Sequence, residues 1–129
     1  MTTELEFLTW AVALGLIYVF LAAGLGTYQR GLKWNVSNRD GELTPLTGAA
    51  ARASRANRNF LETFPFFAAT ALAVTLAHVS TPKTGLGAEI YFWARVAYLP
   101  IYVIGIPYLR TLVWAASLWG LLQLVEALL

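Results

Sequence analysis

Along this chain the apolar positions come in long blocks. Phe7 to Tyr28 is 22 residues without a formal charge, and Thr63 to Pro82 is a second block of 20, with His78 taken as neutral. A third block runs from about Ala88 to Ile106, interrupted by Arg95 and Pro100, and a fourth from about Tyr108 to Leu129, with Glu126 near its end. Each is long enough to cross a bilayer as a helix, and a lipid core demands that backbone hydrogen bonds close within helices. STPKTG and GIP are turn signals between the later blocks. The long connection from Gln29 to about Pro45 contains SNRDGELTP and reads as a polar loop. The pattern predicts an all-α, integral membrane four-helix bundle, a single domain over residues 1–129.

Composition supports a membrane class. The chain is 58% hydrophobic and only 12% charged, about half the charge of an average soluble domain. It has no cysteine, which excludes disulfides, zinc–thiolate sites and a cysteine nucleophile, so any thiol chemistry must come from a ligand. The N-terminus, MTTELEF, lacks the basic leader of a secretory signal, so the first block is expected to be a retained span.

Charge adds an orientation. Arg30, Lys33, Arg39, Arg52, Arg55 and Arg58 lie in the first connection and the approach to span two, six of the nine basic residues. The positive-inside rule puts that connection in the cytoplasm and both termini outside, with Arg110 also on the cytoplasmic side. The expected location is a bacterial inner membrane, multi-pass.

The charge concentrates in RASRANRNFLETFP, Arg52 to Pro65. Thr47 is a suitable N-cap, and LTGAAARASRANRNFLE is helical in character, so span two is expected to begin as a cytoplasmic helix from about residue 47. At about 100° per residue, Arg52, Arg55, Arg58, Asn59 and Glu62 share an arc of roughly 120°, while Asn57 points elsewhere. Arginines that snorkel to anionic headgroups would account for Arg52 and Arg55. They would not account for Glu62, because a carboxylate gains nothing from an anionic headgroup. A pocket for a ligand bearing both carboxylates and an amine uses all of them.

Span three supplies a second polar face, with Arg95, Tyr98 and Tyr102 spaced i, i+3, i+7. An arginine at the bilayer midplane costs at least about 2.5–3.5 kcal/mol, so Arg95 should face protein or water and have a partner. Glu62 is the carboxylate already in polar company, and an Arg95–Glu62 pair, direct or through a ligand, is the expectation. A purely structural pair would lock two helices. His78 stands alone at the outer end of span two, and the Asn35-Val-Ser37 sequon falls on the cytoplasmic side. No metal-ligand spacing, phosphate loop or triad is present, and no nucleic-acid partner is expected.

The residues RASRANRNFLETFPFF resemble the Arg-x-x-Arg-x-x-x-Asn-x-x-Glu signature of the MAPEG proteins, membrane-associated proteins of eicosanoid and glutathione metabolism. The Arg95-x-x-Tyr98-x-x-x-Tyr102 pattern and the four-span layout are similar too. The resemblance implies a homotrimer of four-helix subunits with glutathione, as cosubstrate, bound between neighbours and open to the cytoplasm. Within it, Arg52, Arg55, Arg58, Asn59, Glu62, Arg95, Tyr98 and Tyr102 stand at or beside the glutathione-binding positions. Arg110 resembles the arginine that stabilises the thiolate, with a spacing from Tyr102 that differs by about one residue. Arg30 resembles an arginine that relatives point into the site, and Thr111 stands where one branch carries a serine. The implied function is a membrane transferase or peroxidase acting on lipophilic electrophiles beside membrane lipid. The alternatives are a non-catalytic scaffold of the same fold, or a small transporter with Glu62 as its proton site. Three arginines on one face would hold Glu62 ionised, which suits proton exchange poorly.

Overall fold

Thr2 opens the first helix: its hydroxyl accepts the Leu5 N–H at 3.2 Å, and Glu4 and Glu6 lie in the first turn, where the helix dipole favours negative charge. In the computed structural model, which describes residues 1–41 and 44–129, this helix, α1, runs from Thr3 to Arg30 and stops at Gly31, whose φ is +93°. A short helix, α2 (Leu32–Val36), follows inside the connection expected to be loop. Glu42 and Leu43 of that connection lie outside the described residues.

The basic approach and the second apolar block form one helix, α3 (Gly48–Leu76), with Pro65 inside it. Thr47 is the N-cap residue as expected, but its side chain makes no capping bond. Instead the Gln29 amide clamps its backbone, donating to the Thr47 carbonyl at 2.7 Å and accepting the Thr47 N–H at 3.0 Å.

The expected end of span two at Pro82 and start of span three at Ala88 are corrected. Helix α3 ends at Leu76, followed by a turn in which His78 has φ +58°. Pro82 instead begins the next helix, α4 (Pro82–Ile104), behind a reciprocal Thr81–Thr84 capping box. Proline at the first helical position costs no hydrogen bond, so the residue that looks like a stop is a start. Gly105, at φ +96°, closes α4, and Pro107 opens α5 (Pro107–Leu128).

Among the described residues α1, α3 and α5 are long and apolar enough to cross a membrane by length and composition; α4, which carries Lys83, Glu89 and Arg95, is not among them. The helices pack α1 on α3 and α4 on α5, with further contact of α1 with α4 and of α3 with both α4 and α5. Between α4 and α5 the backbones nearly touch at Gly87 and Gly120. A Cβ on Gly87 would sit 2.6 Å from the Gly120 carbonyl oxygen. Aromatic stacks join the other helices, Tyr18 on Phe60 at 4.6 Å and Phe67 on Tyr91 at 4.1 Å.

The ends of the bundle differ chemically. Arg30, Arg52, Arg55, Arg58 and Arg110 gather where α1 ends, α3 begins and the α4–α5 turn lies. At the opposite end, Glu4 is fully buried and accepts hydrogen bonds from the Ser80 hydroxyl, at 2.9 Å to each carboxylate oxygen, and from the Thr84 hydroxyl.

Candidate functional site

Three helices converge on a cavity of about 370 Å³ at the basic end. Helix α3 contributes Arg55, Arg58, Asn59 and Glu62, a run at i, i+3, i+4, i+7 that helical periodicity places on one face. Helix α4 contributes Tyr98 and Tyr102, one turn apart, and α5 contributes Arg110, Thr111 and Trp114. The tight Gly105–Pro107 turn is what brings Arg110, in the first turn of α5, back over Tyr102.

Tyr102 organises the cationic side. Arg55 donates from Nε to the Tyr102 hydroxyl at 3.1 Å, and its guanidinium lies 5.8 Å from the ring centre. The Arg110 guanidinium lies 4.7 Å from the same ring, and Tyr98 meets it edge-on at 5.5 Å. Cation–π contact holds two like charges near one another without a carboxylate between them. Glu62 is the one acidic lining residue, and it is exposed. The lining therefore offers three guanidiniums, one carboxylate, an amide, two phenols and a threonine hydroxyl.

The remaining expected site residues lie around this cavity. Arg52 is one turn further out; it donates to the Val103 carbonyl at 2.8 Å and lines an adjoining cleft with Arg55, Tyr102 and Arg110. Arg30 is not brought to the cavity. It lines a separate space between α1, α2 and α3 with Trp34, Arg39 and Asn57, donates to the Thr44 carbonyl at 2.9 Å, and stacks at 5.2 Å on Trp34.

Arg95 is where the sequence reading needs its main correction. It is fully buried and does not line the cavity. No direct pair with Glu62 forms: among the described residues the salt bridge is the exposed Lys83–Glu126 contact at 3.3 Å. Arg95 donates instead from Nη1 to the Asn59 side-chain oxygen at 2.6 Å and from Nη2 to the Thr63 hydroxyl at 2.9 Å. Its guanidinium is also flanked by Tyr98 at 5.0 Å and Tyr91 at 5.7 Å. Neutral oxygens take its two terminal nitrogens and aromatic rings flank it, while the buried Nε has no hydrogen-bond partner among the described residues.

Thr63, Tyr91, Tyr18 and Trp114 are the participants that sequence reasoning passed over. Thr63 follows Asn59 by four residues and Trp114 follows Arg110 by four, so the same spacing rule could have found both. Tyr18 and Tyr91 come from different helices, and nothing in their local sequence marks them. Among the described residues no cluster of His, Cys, Asp or Glu suited to a metal ion occurs.

Comparison with family models matches residues 7–129, nearly the whole chain, to that of the MAPEG family. Comparison with curated proteins and with solved structures returned no match.

Proposed function

The chain belongs to the MAPEG family and is a multi-pass membrane protein, and on that premise we propose a glutathione-dependent transferase or peroxidase acting on lipophilic electrophiles. The observation that carries the proposal is the lining of the basic cavity: three guanidiniums and one carboxylate around neutral hydrogen-bonding groups. That set complements a ligand with two carboxylates, one ammonium and a thiol. When bound, glutathione supplies the nucleophilic sulfur that this cysteine-free chain lacks.

Arg55 and Arg58, with Arg52 behind them, hold the carboxylates by charge-assisted hydrogen bonds, and Glu62 accepts from the ammonium. Arg110 is the cation for the thiol. A positive neighbour lowers a thiol's pKa, and a guanidinium does so without itself losing a proton near neutral pH. Tyr98, Tyr102 and Thr111 supply orienting hydroxyls. The lipophilic partner dissolves in the bilayer beside the cavity, so the charged and apolar reactants meet at the helix surface.

The same reading places four spans across the membrane, with the basic end in the cytoplasm and both termini outside. It also proposes a homotrimer. Arg58 and Glu62 continue, with Ser54, Asn57 and Leu61, onto an open outer face of α3, where lipid contact would be costly. Arg30, held in its separate space, would reach glutathione only from a neighbouring subunit.

The test is turnover in reconstituted liposomes with a panel of hydrophobic electrophiles and hydroperoxides. Glutathione consumption is expected, with Arg110→Met lowering kcat at least about tenfold while binding persists. Binding without consumption of any substrate would point to the scaffold reading instead.

A further inference from the structure

We infer that Arg95 is a positioning residue: it fixes the Asn59 side-chain amide so that its NH2 group is presented to an anionic group of the ligand in the cavity. The ligand's identity rests on the glutathione reading above; the orientation of Asn59 does not.

Arg95 is fully buried and absent from the cavity wall, while Asn59 is part of that wall. The two meet through Arg95 Nη1 and Asn59 Oδ1 at 2.6 Å. The guanidinium has little freedom to leave. Nη2 donates to Thr63 Oγ1 at 2.9 Å, and that hydroxyl is hydrogen-bonded to the Tyr91 hydroxyl at 2.9 Å. The backbone is pinned as well, because the buried Tyr18 hydroxyl donates to the Arg95 carbonyl at 2.6 Å.

A guanidinium carries donors and no acceptor, whereas an asparagine amide has one acceptor oxygen and one two-proton nitrogen. With Oδ1 committed to Arg95, what Asn59 has left for the cavity is its nitrogen. Turning the amide over would set NH2 against the guanidinium and lose a charge-assisted hydrogen bond, a penalty of about ten- to a hundredfold in population. The wall is thereby set to receive an acceptor and to reject a donor. A presented donor selects an anion, a carboxylate or thiolate of the thiol peptide.

The experiment measures the Kd of an unreactive S-alkyl glutathione for purified wild type, Asn59→Ala, Arg95→Met and the double variant. Asn59→Ala and Arg95→Met should each weaken binding about tenfold or more, and the double variant should be no weaker than Asn59→Ala alone. Arg95→Lys, which keeps charge and a donor, should retain more affinity than Arg95→Met. Single-variant losses that multiply in the double variant, or wild-type affinity in Arg95→Met, would overturn the inference. If Arg95→Met does not assemble, Asn59→Asp decides. It gives the guanidinium a carboxylate, so the thermal midpoint should rise, and it replaces the presented donor with an acceptor, so affinity should fall. A lower midpoint, or unchanged affinity, would overturn the inference. Wild type that fails to bind the analogue refutes the glutathione reading, and the Asn59→Asp midpoint, which needs no ligand, then decides the role of Arg95.

Discussion

Arg55 and Glu62 carry opposite charge into one cavity, two turns apart on α3, and the account gives them opposite partners. Arg55→Ala should lose a carboxylate contact and release Tyr102, while Glu62→Gln should lose the ammonium's acceptor. Each is expected to weaken glutathione binding by about 1.5–3 kcal/mol, the range for hydrogen bonds to charged groups. Isothermal titration checks this, and unchanged affinity in both would remove them from the site. These positions were legible because helical spacing alone puts Arg55, Asn59 and Glu62 on one face. Arg95 was legible only in part. That it would face protein or water rather than lipid was expected from the cost of a cation in lipid, but its partner was sought among carboxylates. Asn59 and Thr63 engage its two terminal nitrogens with uncharged oxygens on adjacent turns of α3, and nothing in the one-dimensional pattern separates that solution from an ion pair.

At the scale of elements, two contacts outside the cavity set how the helices sit. Glu4 ties the start of α1 to the turn and first residues of α4 through the Ser80 and Thr84 hydroxyls. Glu4→Gln replaces one accepting oxygen with a donor and should cost about 1.5–3 kcal/mol. The expected result is a lower thermal midpoint with glutathione affinity unchanged, since Glu4 lies at the opposite end of the bundle from the cavity. The second contact is the α4–α5 crossing. Gly87→Ala would press a methyl carbon to 2.6 Å from the Gly120 carbonyl oxygen. Overpacking of that kind costs about 1–3 kcal/mol. Gly24→Ala, with nothing within 4 Å, should be neutral or better in the same melting experiment, given alanine's helix preference. The long apolar blocks announced α1, α3 and α5 plainly. The α3–α4 boundary was misplaced because STPKTG reads as a break throughout, whereas Thr81, Pro82 and Thr84 are a helix start. Short α2 was hidden for a related reason, since five residues give too little periodicity to outweigh their polar neighbours.

For the whole molecule, what a single chain leaves open is its outward charge: Arg58 and Glu62 on the open side of α3, and Arg30 in a space apart from the basic cavity. A trimer that closes α3 against a neighbour would shelter the first pair and bring Arg30 to a shared site. Native mass spectrometry from mild detergent should then show a trimer, and a monomer as the sole species would contradict it. Such an assembly is invisible to periodicity within one chain, which is why only the family resemblance pointed to it. The central claim is that the basic cavity binds glutathione. Calorimetric titration of the detergent-purified protein with glutathione and with an unreactive S-alkyl analogue tests it most directly. The account predicts saturable heat with both ligands, weakened in Arg55→Ala; no heat and no thermal shift with either at millimolar concentration would contradict it.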